Sequence, residues 1–227
     1  MQLFKIFGIF GAVIVCAGGL AGCHHAASQP GPAPAAASAL PAVTGADVKF
    51  MQGMIGHHTQ AIAMVALLKT RTARDDMKLM GQRIEVSQND EIRMMRTWLT
   101  NHQQSVPGDD DYKMMMAMPD MAMPGMLTQK QMDQLAAATG ADFDRLFLED
   151  MIQHHEGALA MVKTLMAAPG AGQDSSVFQF AADVQADQSA EITRMRALRA
   201  TMGKASRSKR GQGSPTFPKT PVPARAH

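Results

Sequence analysis

The chain repeats itself, and the repeat decides the fold class. Phe50-Met51-Gln52-Gly53-Met54-Ile55-Gly56-His57-His58 returns 97 positions later (50 to 147) as Phe147-Leu148-Glu149-Asp150-Met151-Ile152-Gln153-His154-His155. Ala61-Ile62-Ala63-Met64-Val65 returns at the same offset as Ala158-Leu159-Ala160-Met161-Val162. Further on, Gln88-x-x-Glu91-Ile92-x-x-Met95-x-x-Trp98 returns 100 positions later (88 to 188) as Gln188-x-x-Glu191-Ile192-x-x-Met195-x-x-Leu198. The added length fits the longer Ala-Pro-Gly-Ala-Gly turn of the second copy. In all four segments apolar residues recur three and four apart, the period of an amphipathic helix. Each repeat therefore reads as a helical hairpin. One hairpin cannot cover its own apolar face, so the two pack into an all-α four-helix bundle.

Composition supports helices. Aromatics are 5% of the chain, with one Trp and one Tyr, too few for a β-sandwich or barrel, while 46% hydrophobic content is enough to bury a core. Thr44-x-x-Asp47 opens a helix to about Lys69, and a second runs from about Ala73 to His102. Thr128-x-x-Gln131 opens a short helix that ends at Gly140. Long helices follow over about Asp142–Ala167 and Ser176–Met202, parted by Pro169-Gly170-Ala171-Gly172. The bundle is thus expected over 44–202, from repeats at about 46–102 and 142–202 joined by a connection at 103–141 that carries the extra helix.

The termini read differently. Met1–Gly22 has one early lysine, an apolar run and small residues ending in Leu20-Ala21-Gly22-Cys23. This resembles a bacterial lipoprotein signal, with Cys23 as the lipidated residue, against an ordinary secretory signal or a plain membrane helix. Residues 23–43, rich in Ala, Pro and Ser, read as a flexible tether. The mature chain would then carry no free thiol and no disulfide, consistent with export to the cell envelope. Between Cys23 and Met202 stand 15 basic and 20 acidic residues, a body too acidic for nucleic-acid binding. The basic stretch 203–227 reads as a disordered tail.

The chemistry lies on the helix faces. Phe50, Met54, His57, Ala61, Met64, Leu68 form one stripe, and Phe147, Met151, His154, Ala158, Met161, Leu165 repeat it residue for residue. His58 and His155 lie on the neighbouring stripe. Adjacent helix residues are about 100° apart, so one His of each pair should face the bundle centre and the other a seam between helices. Gln88, Glu91, Gln188 and Glu191 interrupt otherwise apolar stripes on the partner helices and need hydrogen-bond partners once buried. Imidazole N–H is the evident one, and a carboxylate behind an imidazole is the usual support of a metal ligand. Such stripes can also be core packing with satisfied histidines. Four histidines in two matching settings favour metal or redox chemistry.

Ligand type narrows the metal. A di-iron bundle uses bridging Glu and Glu-x-x-His. Here the motif is Met-x-x-His (Met54/His57 and Met151/His154), and two Glu are too few to bridge a pair. Thioether with imidazole and no thiolate suits copper, Cu(I) above Cu(II), with other transition metals as lesser options. Met95 and Met195 are further thioethers on the bundle. A separate cluster, Met114, Met115, Met116, Met118, Met121, Met123 and Met126, places seven methionines in thirteen residues broken by Pro119, Pro124 and Gly125. Prolines argue against regular helix packing there. The cluster reads as exchanging Cu(I) ligands, an oxidant sink or a low-complexity linker. His24-His25 is a weaker candidate.

The doubled Phe-x-x-x-Met-Ile-x-His-His-x-x-Ala-[Ile/Leu]-x-Met-Val, each followed by Gln-x-x-Glu-Ile-x-x-Met, resembles the bacterial "domain of unknown function 305" family over about Ala46–Met202. The resemblance implies a ferritin-like bundle and export. It also implies copper handling through Met54, His57, His58, Met64, Met151, His154, His155 and Met161, since the family includes a periplasmic copper-binding protein implicated in copper resistance. Three functions stay open at this point. They are a lipid-anchored copper protein for sequestration, tolerance or delivery to a partner protein, a ferritin-like redox metalloenzyme, and a structural envelope module without a ligand. No hydrolase constellation or phosphate-binding Gly loop is present.

Overall fold

The computed structural model describes residues 43–108, 111 and 123–211, with side chains as far as Met202. The signal segment 1–22, Cys23, His24-His25, nearly all of the tether, Met114, Met115, Met116, Met118, Met121 and residues 212–227 lie outside the described residues. Five helices are present and no strand is found among the described residues: α1 Gly45–Arg71, α2 Asp75–Asn101, α3 Gln129–Ala137, α4 Gly140–Ala167 and α5 Ser175–Gly211. None of these helices is long and apolar enough to cross a membrane.

The starts follow from capping chemistry. Thr44 Oγ1 accepts from the Asp47 amide (3.2 Å) and Asp47 Oδ2 accepts from the Thr44 amide (2.8 Å), so two amides that a helix end leaves unpaired are satisfied reciprocally. Asp47 Oδ1 also accepts from the Gly172 amide (2.7 Å), which ties the start of α1 to the turn between α4 and α5. Thr128 and Gln131 form the same box at the start of α3. α2 begins at Asp75, with Asp75 and Asp76 placed against the positive end of the helix dipole. One boundary departs from expectation. α5 runs past Met202 to Gly211 and so enters the basic stretch that the sequence reads as a tail. The helix formers Lys204, Ala205, Arg207, Lys209 and Arg210 outweigh the glycine at position 203.

α1 packs on α2, α4 packs on α5, and α1 and α4 lie against each other. The core is divided in two. One apolar cluster joins the first half of α1 (Phe50, Met54) and the end of α2 (Met95, Trp98, Leu99) to the second half of α4 (Val162, Leu165) and the start of α5 (Phe180, Val184). The other joins the second half of α1 (Met64, Leu68) and the start of α2 (Met77, Ile84) to the first half of α4 (Phe143, Phe147, Met151) and the later part of α5 (Ile192, Met195). Burying each large side chain contributes about 1.5–3 kcal/mol, so each cluster is a substantial source of stability. On every long helix the residues between the two clusters are polar and buried: His57, His58 and Gln60, then Gln88 and Glu91, then His154 and His155, then Gln188 and Glu191. A polar layer crosses the middle of the bundle.

Candidate metal centre

The four histidines of this layer are fully buried. Their helix positions separate each pair as the 100° step requires. His58 faces α2, where its Nε2–H donates to Glu91 Oε2. His155 makes the equivalent bond to Glu191 Oε2 on α5 at 2.6 Å. His57 and His154 point inward and meet, their ring centroids 3.8 Å apart and their planes inclined at 40°. His154 Nε2–H donates to the backbone carbonyl of His57 (3.0 Å), and His57 Nε2–H donates to the carbonyl of Pro124 (3.0 Å).

Every acceptor in this set is a carbonyl or carboxylate oxygen, so Nε2 carries the proton in each neutral ring and Nδ1 keeps its lone pair. All four Nδ1 atoms are buried without a hydrogen-bond partner. Each such atom costs about 1–3 kcal/mol, and four are a heavy burden on a domain stable by about 5–15 kcal/mol. An imidazole held through one nitrogen by a carboxylate or backbone carbonyl, with the other nitrogen bare, is the arrangement found behind metal ligands. The donor set therefore fits a metal that takes imidazole.

Burial disfavours charge at the centre. It is the largest cause that lowers His57 to about 3, with the neighbouring His58 adding to it and the Pro124 hydrogen bond opposing. His154 is held well below its ordinary value of 6.5, first by burial and then by His57. Both rings are thus neutral, and neutral imidazole is the form that ligates.

The glutamines do not follow expectation. Gln88 has no partner on either amide atom, and Gln188 Oε1 has none. The histidine N–H groups are already taken by the glutamates and by two backbone carbonyls. The methionines are divided by the layer. Met54 and Met95 are buried in the first cluster with Met161 packed at its edge, while Met64, Met151 and Met195 are buried in the second. Met54 and Met151 therefore flank the histidines from opposite sides. Among the described residues no three His, Cys, Asp or Glu side chains converge to hold a metal. The layer offers imidazole and carboxylate, and the apolar clusters on either side of it carry thioethers.

One part of the site has no counterpart in the repeat motif. Residues 123–127, the end of the methionine-rich connection, lie as a strap across α1 and α4. Leu127 is clamped by Gln60, whose Oε1 accepts from the Leu127 amide (2.8 Å) and whose Nε2 donates to its carbonyl (2.9 Å). A Cβ on Gly157 would stand 2.0 Å from the Pro124 oxygen, so only glycine lets the strap pass there. Gly125 takes φ 76, in the left-handed region that glycine favours. Within the strap Met126 is buried and Met123 is half-buried. The signal was in the repeat as its irregularities: Gln60 stands opposite Gly157, and Gly53 opposite Asp150. Asp150 is buried with Oδ2 unpartnered, and burial followed by the charge of Glu149 raises its carboxyl to about 6.

No curated protein matches the chain in sequence. Solved structures do. A DUF305 protein of Streptomyces coelicolor, described as secreted, is 27% identical with a TM-score of 0.59, the match covering 70% of this chain and 94% of that one. A DUF305 fragment from Deinococcus radiodurans is 27% identical with a TM-score of 0.57, covering 71% of this chain and 99% of that one. CopM in its Cu(I)-bound form is 27% identical with a TM-score of 0.53, covering 68% of this chain and 96% of that one. CopM is also solved with Cu(II) and with silver. The family profile described as a domain of unknown function, DUF305, matches residues 47–199, and the chain belongs to that family.

Proposed function

We propose that this protein binds copper at the histidine layer of its bundle and holds it for sequestration, tolerance or delivery in the cell envelope. One observation carries the reading: four buried imidazoles, each fixed through Nε2, leave four bare Nδ1 atoms inside the bundle. His57, His58, His154 and His155 supply the nitrogen ligands, and Met54, Met64, Met151 and Met161 supply thioethers from either side. Glu91 and Glu191 orient the rings and raise their basicity. A soft donor set without thiolate favours Cu(I) over Cu(II). Similarity to CopM, which is solved with Cu(I), Cu(II) and silver, supports the choice of metal. Met114–Met126 provides weaker, exchanging Cu(I) ligands, and Cys23 anchors the protein to a membrane by lipid, with the bundle facing the periplasm or cell exterior.

The test is metal analysis of the purified protein after growth with copper, iron, zinc and manganese together, followed by Cu(I) competition titration. Copper as the dominant metal, lost when the four histidines are replaced, is the expected result. Iron at two per chain with oxygen consumption would replace this reading with a redox enzyme. A protein that retains no metal would leave a structural module.

A further inference from the structure

The histidine layer is closed unequally on its two sides. Where α1 and α4 meet, the strap lies over it, with the Pro124 carbonyl bonded to His57 and Leu127 clamped by Gln60. α2 and α5 form the other side, each packed on its own partner helix. There the layer reaches solvent. The four histidines are 0% exposed, whereas the side chains of Glu91 and Glu191 are 9% and 7% exposed. Asp187 stands one turn before Glu191 and is exposed. After partial burial, the charges of Glu91 and Glu191 raise its carboxyl, and Arg194 opposes them. Glu91 belongs to α2, so Asp187 on α5 acts across the seam. Arg194 stands one turn after Glu191, its Nη2 4.0 Å from Glu191 Oε1. Both residues break the repeat, since the equivalent positions on α2 hold Ser87 and Met94. Deeper in the layer lie acceptors without partners: Oε1 of Gln88 and Gln188, in side chains only 1% and 2% exposed, and Nδ1 of His58 and His155.

We propose that the acidic seam between α2 and α5 is the entrance by which a cation reaches the histidine layer, with Asp187 as the outer group that draws it in and Arg194 as the built-in cation that opposes it. Ordered by exposure, the groups run from carboxylate through amide oxygen to imidazole nitrogen, and every one of them attracts a cation. Three carboxylates (Glu91, Asp187, Glu191) stand against one arginine, and low-dielectric walls focus such a field. Among the described residues no three His, Asp or Glu side chains converge to hold a metal, so the seam conducts the ion and does not chelate it. The strap side offers only backbone and amide groups at the same depth. Placing Asp187 and Arg194 on α5 alone sets the attraction and its counterweight on one wall of the seam. The inference rests on the copper reading for the ion's destination.

The test compares the full chain with Asp187→Asn and Arg194→Gln. Both positions are exposed and outside the proposed ligand set, so both variants should unfold thermally like the wild type. Silver nitrate in chloride-free buffer supplies Ag(I), and uptake is followed by stopped flow with a silver-responsive indicator in low and in physiological salt. Asp187→Asn should slow uptake about threefold in low salt, the effect in water of one charge about 7 Å from the path. Arg194→Gln should speed it by a similar factor. Both differences should shrink in physiological salt, where exposed charges are screened. Unchanged rates, a shift of both variants in the same direction, or a shift that salt leaves undiminished would overturn the entrance while the copper reading stands. A wild type that takes up no silver would sink the copper reading and the entrance with it.

Discussion

The metal-free protein should lose stability in acid through its central histidines, by an amount that can be isolated. His154 is held well below 6.5 in the folded bundle, while the unfolded chain binds its proton with the ordinary value. The folded value is the lower one, so the contribution is complete above pH 6.5 and is lost as pH falls towards the folded value. One histidine that stays neutral when folded costs about 2 kcal/mol between pH 6.5 and pH 4.5, from the proton uptake of the unfolded state alone. Asp150 works the other way. Its folded value of about 6 lies above 3.8, so its protonation favours the folded state over part of the same range. The wild-type curve therefore mixes opposing trends, and a difference between two proteins removes the mixture. His154→Leu keeps the volume and strands no acceptor, because the His57 carbonyl lies within α1 and retains its helical role. Urea unfolding of both metal-free proteins at pH 6.5 and 4.5 should show the wild type losing about 2 kcal/mol more than the variant. A difference under about 0.5 kcal/mol would mean that His154 takes up a proton in the folded state, and the dry, neutral centre would be refuted.

Three further outcomes are expected. Glu91→Gln with Glu191→Gln should keep the fold and weaken copper binding on the order of 10–100-fold in competition titration, and unchanged binding with a collapse of thermal stability would make both residues structural. Gly157→Ala should destabilise by about 1–3 kcal/mol, read by thermal unfolding, because its Cβ would enter the Pro124 carbonyl at 2.0 Å and lift the strap. An unshifted transition would show that the strap is not seated there. Cys23→Ser should leave the protein unprocessed or release it from the membrane fraction, and a lipid-free mature protein that begins elsewhere removes the anchor.

Much of this was legible because repetition and helical period act over long stretches. The two copies of the motif place all four long helices, and the 100° step between His57 and His58 separates a central ring from a seam ring. Glu91 and Glu191 could be paired with histidines from their position alone, since buried carboxylates need donors. The glutamines misled because a donor can be spent elsewhere. Two of the four imidazole N–H groups go to the carbonyls of Pro124 and His57. Neither acceptor leaves a trace in sequence, because a backbone carbonyl is the same in every residue. The strap was hidden for a related reason. Its seat is built from the absence of side chains at Gly157 and Gly53, and an absence carries no periodicity.

The divided core has a consequence for how such a chain can vary. Each apolar cluster takes half its helices from one repeat and half from the other, so neither repeat completes a cluster alone. This is the geometry of an isologous dimer whose subunits have been joined end to end. In a true dimer every residue occurs twice, and a change made on one side appears on the other. The join removes that constraint. Position 53 can be glycine while its equivalent is Asp150, and position 60 can be glutamine while its equivalent is Gly157. The connecting segment exists once, so it can settle against only one side of the histidine layer. A symmetric scaffold thereby acquires a front and a back, and the two faces of the histidine layer present different chemistry.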